Sequence, residues 1–356
     1  MKVIWARGVN DAYVQGLALL RAEGIREDSR AGPVLVMPCP VTTVYERPTE
    51  RVLLDPRRDA NPFFHVFEAC HMLAGRNDAR WLDKFVRDFS SRFAEDDGNQ
   101  HGAYGFRWRQ HFDVEGGGHP ALPDQLSEAV RLLRSNPSDR RVVLTMWDPV
   151  ADLGISKRDV PCNTHAYLRI RNPDERGFED FGDGNIVDYD LRALDLTVCC
   201  RSNDAIWGAY GANAVHFSML QEYLAGRIGV RVGRYYQCSN NFHVYEDVLA
   251  KVGEPTPLGD YLGTAPIGQD WSCWDEDLVR FMAWTESEEP DQQPQEYPRN
   301  PWFHGTAEPL FVAHHLWKRG AREHALEIVS DSAVWPSMAP DWRAAAVAWL
   351  ERRMKK

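Results

Sequence analysis

Four places in this sequence carry side chains suited to covalent or acid–base work. Cys162 follows Pro161, and a thiolate there could add to an electrophilic carbon and later leave it. A lone cysteine is more often inert packing. Glu68 sits inside the apolar run VFEACHML, where burying a carboxylate is costly without a partner or a task. Its plainer reading is a glutamate at a helix edge. Arg140 and Arg141 open the run RRVVLTMWD; they could clamp a phosphate through their guanidinium forks or end a strand in solvent. His243 and Tyr245 stand two apart, so an extended segment puts both on one face. The usual role of such a histidine is structural.

The elements that must hold these residues read as a mixed α/β or α+β architecture. Residues 1–60 mix short apolar runs with prolines and suggest strands and turns. From residue 61 the pattern becomes helical, with Phe64, Phe67, Met72 and Leu73 on one face and Gly75 as the stop. A second amphipathic helix is expected over 122–134. Strands are expected over 140–148, 164–171 and 194–200, with an exposed acidic, glycine-rich loop at 172–185. A long apolar helix runs from Asn213 to about Leu224, and VGRYYQCSNNFHVYEDV reads as a strand entering a helix. Composition shifts after about residue 253. A proline-rich acidic linker at 287–301 precedes helices with Ala, Leu and Trp faces. The expected division is therefore residues 1–253 and a helical C-terminal extension, 254–356, whose tryptophans read as core.

Composition excludes several classes. The chain has 356 residues, 44% of them hydrophobic, which is ample for a core and excludes overall disorder. Lys+Arg 41 against Asp+Glu 52 gives a net charge of −11, which repels polyphosphate and argues against direct DNA binding, though not against a local pocket for one anion. No apolar run reaches the roughly 20 residues of a membrane helix, and MKVIWARGVNDAY has no signal-peptide core. Seven cysteines without a CxxC pair or zinc-finger spacing suit a reducing compartment and no structural metal. The expectation is a cytoplasmic protein.

The order of the pieces says more than any one of them. YGFRWR, SDRRVVLTMWDP, PCNTHAYLRI, LTVCCRSNDAIWGAYGANAVHFSMLQEYLA and NNFHVYED together resemble the thymidylate synthase superfamily over about residues 60 to 250, or from near 26 if IREDSRAG is included. The resemblance implies that family's mixed sheet with packed helices. It makes Cys162 the nucleophile that adds to C6 of a pyrimidine nucleotide, so that C5 can attack the methylene of 5,10-methylenetetrahydrofolate. It gives Glu68 the task of organising water and moving protons during cofactor ring opening, and Tyr104 the removal of the C5 proton. Arg201 and Ser202 match the phosphate site, with Arg201 also near enough to the cysteine to favour its thiolate. Arg30 matches a mobile phosphate arginine. Arg140 and Arg141 match a pair supplied from the opposite subunit of a homodimer. Asp204, Trp108 and Gly208 fall in the folate site, and His243 and Tyr245 on the sugar 3′-hydroxyl. No metal is implied.

In its departures from the synthase pattern the chain resembles the phage deoxycytidylate hydroxymethylases and their relatives. Asn163 follows the nucleophile where synthases have His, RSND replaces RSCD, Arg107 stands where Gln is usual, and the closing C-terminal tail has no counterpart. A synthase keeps water away from the C5 methylene, whereas a hydroxymethylase admits water to it. Asn213 is the best match to the residue that reads the base and points to uracil. Gly208-Ala-Tyr-Gly-Ala-Asn213 is, however, one residue longer than the family spacing, so Ala212 could take that place. An amide can also flip and read cytosine. The expectation is a dUMP 5-hydroxymethyltransferase. Acting on dCMP or CMP, a thymidylate synthase, and a non-catalytic nucleotide-binding homologue are the alternatives. The intact set of Cys162, Glu68, Arg201 and Asp204 argues against the last. Enzymes of this kind are often encoded by phages with hypermodified DNA.

Overall fold

Leu194, Leu196, Val198 and Cys200 are all buried, with half-buried Thr197 and Cys199 between the last three, and this run builds a central strand of a mixed six-stranded sheet. The computed structural model describes residues 1–112, 124–172, 192–287, 299–333 and 335–355. Its strands are β1 Lys2–Ala6, β2 Ile25–Ser29, β3 Gly32–Val36, β4 Val41–Tyr45, β5 Val143–Thr145, β6 Asn163–Arg171, β7 Ala193–Cys200, β8 Asn203–Asp204, β9 Arg231–Ser239 and β10 Phe242–Tyr245. The larger sheet runs β1-β4-β9-β7-β6-β5 and the smaller β2-β3-β10-β8. Mixed α/β architecture was expected and is observed.

Three sequence expectations change. A helix, Val9–Glu23, stands where residues 1–60 suggested only strands and turns; Ala12, Tyr13, Leu17 and Leu20 give it a buried face. The strand expected over 140–148 is paired only at Val143–Thr145, because Trp147 turns its N–H back to the Thr164 carbonyl. The segment read as one strand entering a helix is two strands, β9 and β10, belonging to different sheets. The helix expected over 122–134 is present as Gln125–Ser135, with Asp124 accepting from the Leu126 and Ser127 N–H groups; residues 122 and 123 lie outside the described residues. So do residues 173–185 of the expected loop and residues 288–298 of the expected linker.

The helix Pro62–Leu73 starts at Asn61, whose side chain accepts from Phe64 N–H, and Gly75 follows it at φ +72°. It has two working faces. Phe63 meets Trp349 edge-on and Phe67 meets Phe281 and Phe311, so helices from the C-terminal hundred residues cover one side. Glu68 leaves from the other. Trp274, Trp284, Trp302, Trp342 and Trp349 are buried and join one apolar core that extends from Ile4 to Leu350. Arg352 and Arg353 pair with Asp59, just ahead of the Glu68 helix. Among the described residues no helix is long and apolar enough to cross a membrane, and no group of three His, Cys, Asp or Glu could hold a metal.

Candidate active site

Strand register assembles the site. Asn163 pairs with Cys200 across β6 and β7, and Cys200 with Ser239 across β7 and β9. Three strand ends therefore meet at one edge, and Cys162 lies immediately before the first. The Arg201 N–H donates to the Cys162 carbonyl, while the Arg201 guanidinium donates to the carbonyls of Pro161 (2.9 Å) and Val160 (3.0 Å). One residue thus pins the turn that carries Cys162. The second sheet supplies Asp204 beside His243, paired in register across β8 and β10, with Tyr245 two residues on, its ring edge-on to that of His243.

The Cys162 thiol is held above its ordinary value. Burial raises it, Arg201 opposes this, and Asp159 adds to it. The expectation that Arg201 favours thiolate holds for its direction alone; in the protein by itself burial wins. Burial likewise pushes the Tyr104 phenol far up, with Cys162, Asp159, Cys200 and Glu68 adding to it. Glu68 Oε2 lies 3.0 Å from His216 Nε2, off the line of a hydrogen bond, so each atom has the other beside it and neither is hydrogen-bonded. Asp204 uses one oxygen to cap the turn at Ile206 and Trp207. Its other oxygen is buried without a partner, and burial raises its pKa. Trp108 is buried against Phe217 with its indole N–H also unpartnered. Gly208 is required by close approach, since a Cβ there would meet Asn203 Oδ1 at 2.7 Å.

Asn213 opens the helix Asn213–Ile228 and is 5% exposed. The preceding Ala205–Ala212 forms a π-helical turn, with Gly211 outside helical geometry. A π turn absorbs one extra residue, which explains the longer spacing. It leaves Asn213, not Ala212, facing Asn163 and Asn203.

A family profile described as Thymidylate synthase matches residues 53–256. The chain belongs to the thymidylate synthase family. It is 43% identical, over 99% of its length and 95% of the relative's, to a protein named deoxyuridylate hydroxymethyltransferase from Pseudomonas phage M6. A protein of the same name from Bacillus phage SP01 is 32% identical over 60% of this chain and 52% of its own. A putative thymidylate synthase of Methanothermobacter thermautotrophicus is 31% identical over 47% of this chain and 61% of its own.

Within this family member not every expected residue joins the cluster. Arg30 stands exposed at the tip of the β2–β3 hairpin. Arg140 and Arg141 are exposed ahead of edge strand β5, and Arg141 pairs with Asp139 at 2.7 Å. Ser202 is half-buried between Arg201 and Asn203. Sequence reading missed His216 opposite Glu68, Asp159 near Cys162, and the buried Asn203–Gln237 pair. His216 had a signal, lying three residues after Asn213 on the same helix; Asp159 had one in its place three residues before Cys162. Arg107, read only as a departure, is fully buried. It donates to Asp152 and to the His101 carbonyl, anchoring the segment beneath Tyr104.

Proposed function

We propose that this protein is a deoxyuridylate hydroxymethyltransferase, converting dUMP and 5,10-methylenetetrahydrofolate with water to 5-hydroxymethyl-dUMP and tetrahydrofolate. The observation that carries the reading is the 43% identity, across 99% of the chain, to the Pseudomonas phage M6 protein of that name. The grouping of Cys162, Glu68, Tyr104 and Arg201 supports it. Cys162 adds to C6, which makes C5 nucleophilic. Tyr104, kept a neutral phenol by burial, stands to relay the C5 proton, its oxygen receiving it as its own O–H proton passes to water, and Glu68 with His216 to carry protons and order that water. When water has reached the C5 methylene, Cys162 departs from C6 with its bonding electrons and the ring double bond re-forms. Arg201 and Ser202 hold the phosphate, with Arg30 as a mobile addition, and His243 and Tyr245 hold the sugar.

The folate co-substrate, when bound, supplies the one-carbon unit at the oxidation level of formaldehyde. Asp204 and Trp108, with Gly208, would hold it. The unpartnered Asp204 oxygen suits a ring that offers N–H donors, and the unpartnered Trp108 N–H suits an acceptor.

A homodimer with Arg140 and Arg141 crossing to the partner's phosphate site is part of this reading. Strand register places Trp5, Val44, Tyr236, Thr197, Tyr167 and Val143 in one row across the large sheet. Trp5, Tyr167 and Val143 are about half exposed, and such an apolar face suits a second copy. Residues 254–356 act as a buttress that fixes the Glu68 helix from behind, beside the catalytic part, 1–253.

The test is product mass. Incubated with 5,10-methylenetetrahydrofolate and dUMP, the protein should add CH₂O and release tetrahydrofolate. A gain of CH₂ with dihydrofolate formed would make it a thymidylate synthase instead.

A further inference from the structure

An asparagine side chain can turn over and exchange its donor and acceptor ends, so Asn213 alone would read uracil and cytosine alike. Its surroundings remove that freedom. Asn213 Nδ2 donates to Asn203 Oδ1 at 3.1 Å. Asn203 Nδ2 donates to Gln237 Oε1 at 2.9 Å and to Ser239 Oγ at 2.9 Å. Gln237 Nε2 donates to the Ala209 carbonyl at 3.3 Å and to Tyr235 Oη at 2.8 Å. At the other end Asn163 Nδ2 reaches Asn213 Oδ1 at 3.4 Å, while Asn163 Oδ1 accepts from the Cys200 thiol. Asn163, Asn203, Asn213 and Gln237 are all at most 5% exposed, so a lost partner is not replaced by bulk water.

The direction of this chain rests on one atom. The Ser239 hydroxyl, the Tyr235 hydroxyl and the Cys200 thiol can each give or take a hydrogen bond, so none of them distinguishes one amide orientation from the other. The Ala209 carbonyl can only accept, and it already takes the Tyr45 hydroxyl at 3.2 Å. Turning Gln237 over would set two buried carbonyl oxygens against each other. With Gln237 fixed, Asn203 is fixed, and with it Asn213.

We propose that Gln237 and Asn203 are positioning residues for base choice, an amide relay anchored on the Ala209 carbonyl that prevents Asn213 from turning to accept cytosine. The inference rests on the reading of dUMP as substrate. Asn213 keeps one N–H and one carbonyl lone pair for the base, the pair complementary to uracil O4 and N3–H. The chain is neutral throughout, so it orders the amide without placing a charge near the pyrimidine.

The experiment is calorimetric binding of dUMP and of dCMP to the full chain without folate, followed by kcat/KM for both nucleotides. Gln237→Met keeps the volume and removes the directional link; Asn203→Leu breaks the chain one step nearer and serves if the first variant folds poorly. The wild type should favour dUMP, and each variant should lose at least about tenfold of that preference, the order of one buried hydrogen bond, with dCMP gaining relative to dUMP. A loosened structure would weaken both nucleotides together and leave their ratio unchanged. A dUMP preference that the variants leave intact overturns the relay alone. A wild-type preference for dCMP overturns the substrate named above, and with it the uracil-facing direction drawn here.

Discussion

The two walls of the site are built on opposite plans. One, formed by Asn163 of β6, Asn203 of β8, Asn213 at its helix start and Gln237 of β9, is a chain of neutral amides whose donors and acceptors meet one another. The other carries Glu68, His216, Asp204 and Trp108, each with a buried polar atom that makes no hydrogen bond within the protein, although Glu68 and His216 stand 3.0 Å apart. A satisfied network is rigid and specifies one arrangement. Buried groups left without partners cost stability and are kept where a ligand or a reaction supplies the missing contact. The first wall is suited to reading a substrate and the second to reacting with one.

The strongest way to break this contrast is Cys162→Ala, which removes the one atom that both walls serve. Turnover should fall at least about 10⁴-fold, while calorimetry should still detect dUMP, because the amide wall and the phosphate arginines are untouched. Retained turnover would remove the covalent step from the mechanism. A smaller effect separates the walls. Asp204→Asn keeps the oxygen that caps Ile206 and Trp207 but turns the unpartnered oxygen into a donor. Folate affinity should weaken about 10- to 100-fold, the range for a hydrogen bond to a charged group, with dUMP binding unchanged. Equal loss of both ligands would place Asp204 in general support of the fold.

The difference between the walls also governed what could be read from sequence. Cys162, Glu68, Arg201, Asp204 and Asn213 sit in short runs whose order is itself a signal, and the strands and helices that hold them follow apolar periodicity. The amide relay had no such signal. Gln237 lies in a β-strand where any inward residue would fit the alternation, and its importance comes only from the Ala209 carbonyl, brought near by the packing of a π turn against β9. The N-terminal helix was legible: Val9–Glu23 carries Ala12, Tyr13, Leu17 and Leu20 at helical spacing and no proline, and only the proline-bearing run from residue 33 onward gives residues 1–60 a strand-and-turn character. His216 was legible as a helix residue, but its approach to Glu68 depends on two helices crossing, which spacing along one of them does not reveal.

The smallest expected effect tests whether the reactive wall stores instability. Burial raises the Asp159 carboxyl to about 6, the Gly102 N–H works against this, Glu68 adds to it, and His101 and Arg107 lower it. A carboxyl whose folded pKa exceeds its unfolded value holds a proton more tightly when folded. Its contribution therefore favours the fold in acid, declines as pH rises from about 4 to about 6, and stays unfavourable above that. Asp159→Asn keeps an acceptor for the Gly102 N–H and cannot ionise. It should be more stable than the wild type at pH 7 to 8, by at most about 3 kcal/mol at about 1.4 kcal/mol per pKa unit, and the advantage should vanish below about pH 4. Asp341, also raised to about 6 by burial, lies in the C-terminal helix Pro340–Met354 and contributes the same slope in both proteins, so the comparison isolates Asp159. Thermal melts of the two proteins across pH 4 to 8 decide it. Parallel curves would mean that the carboxylate beside Cys162 is fully accommodated, and that the unsatisfied wall is limited to Glu68, His216, Asp204 and Trp108.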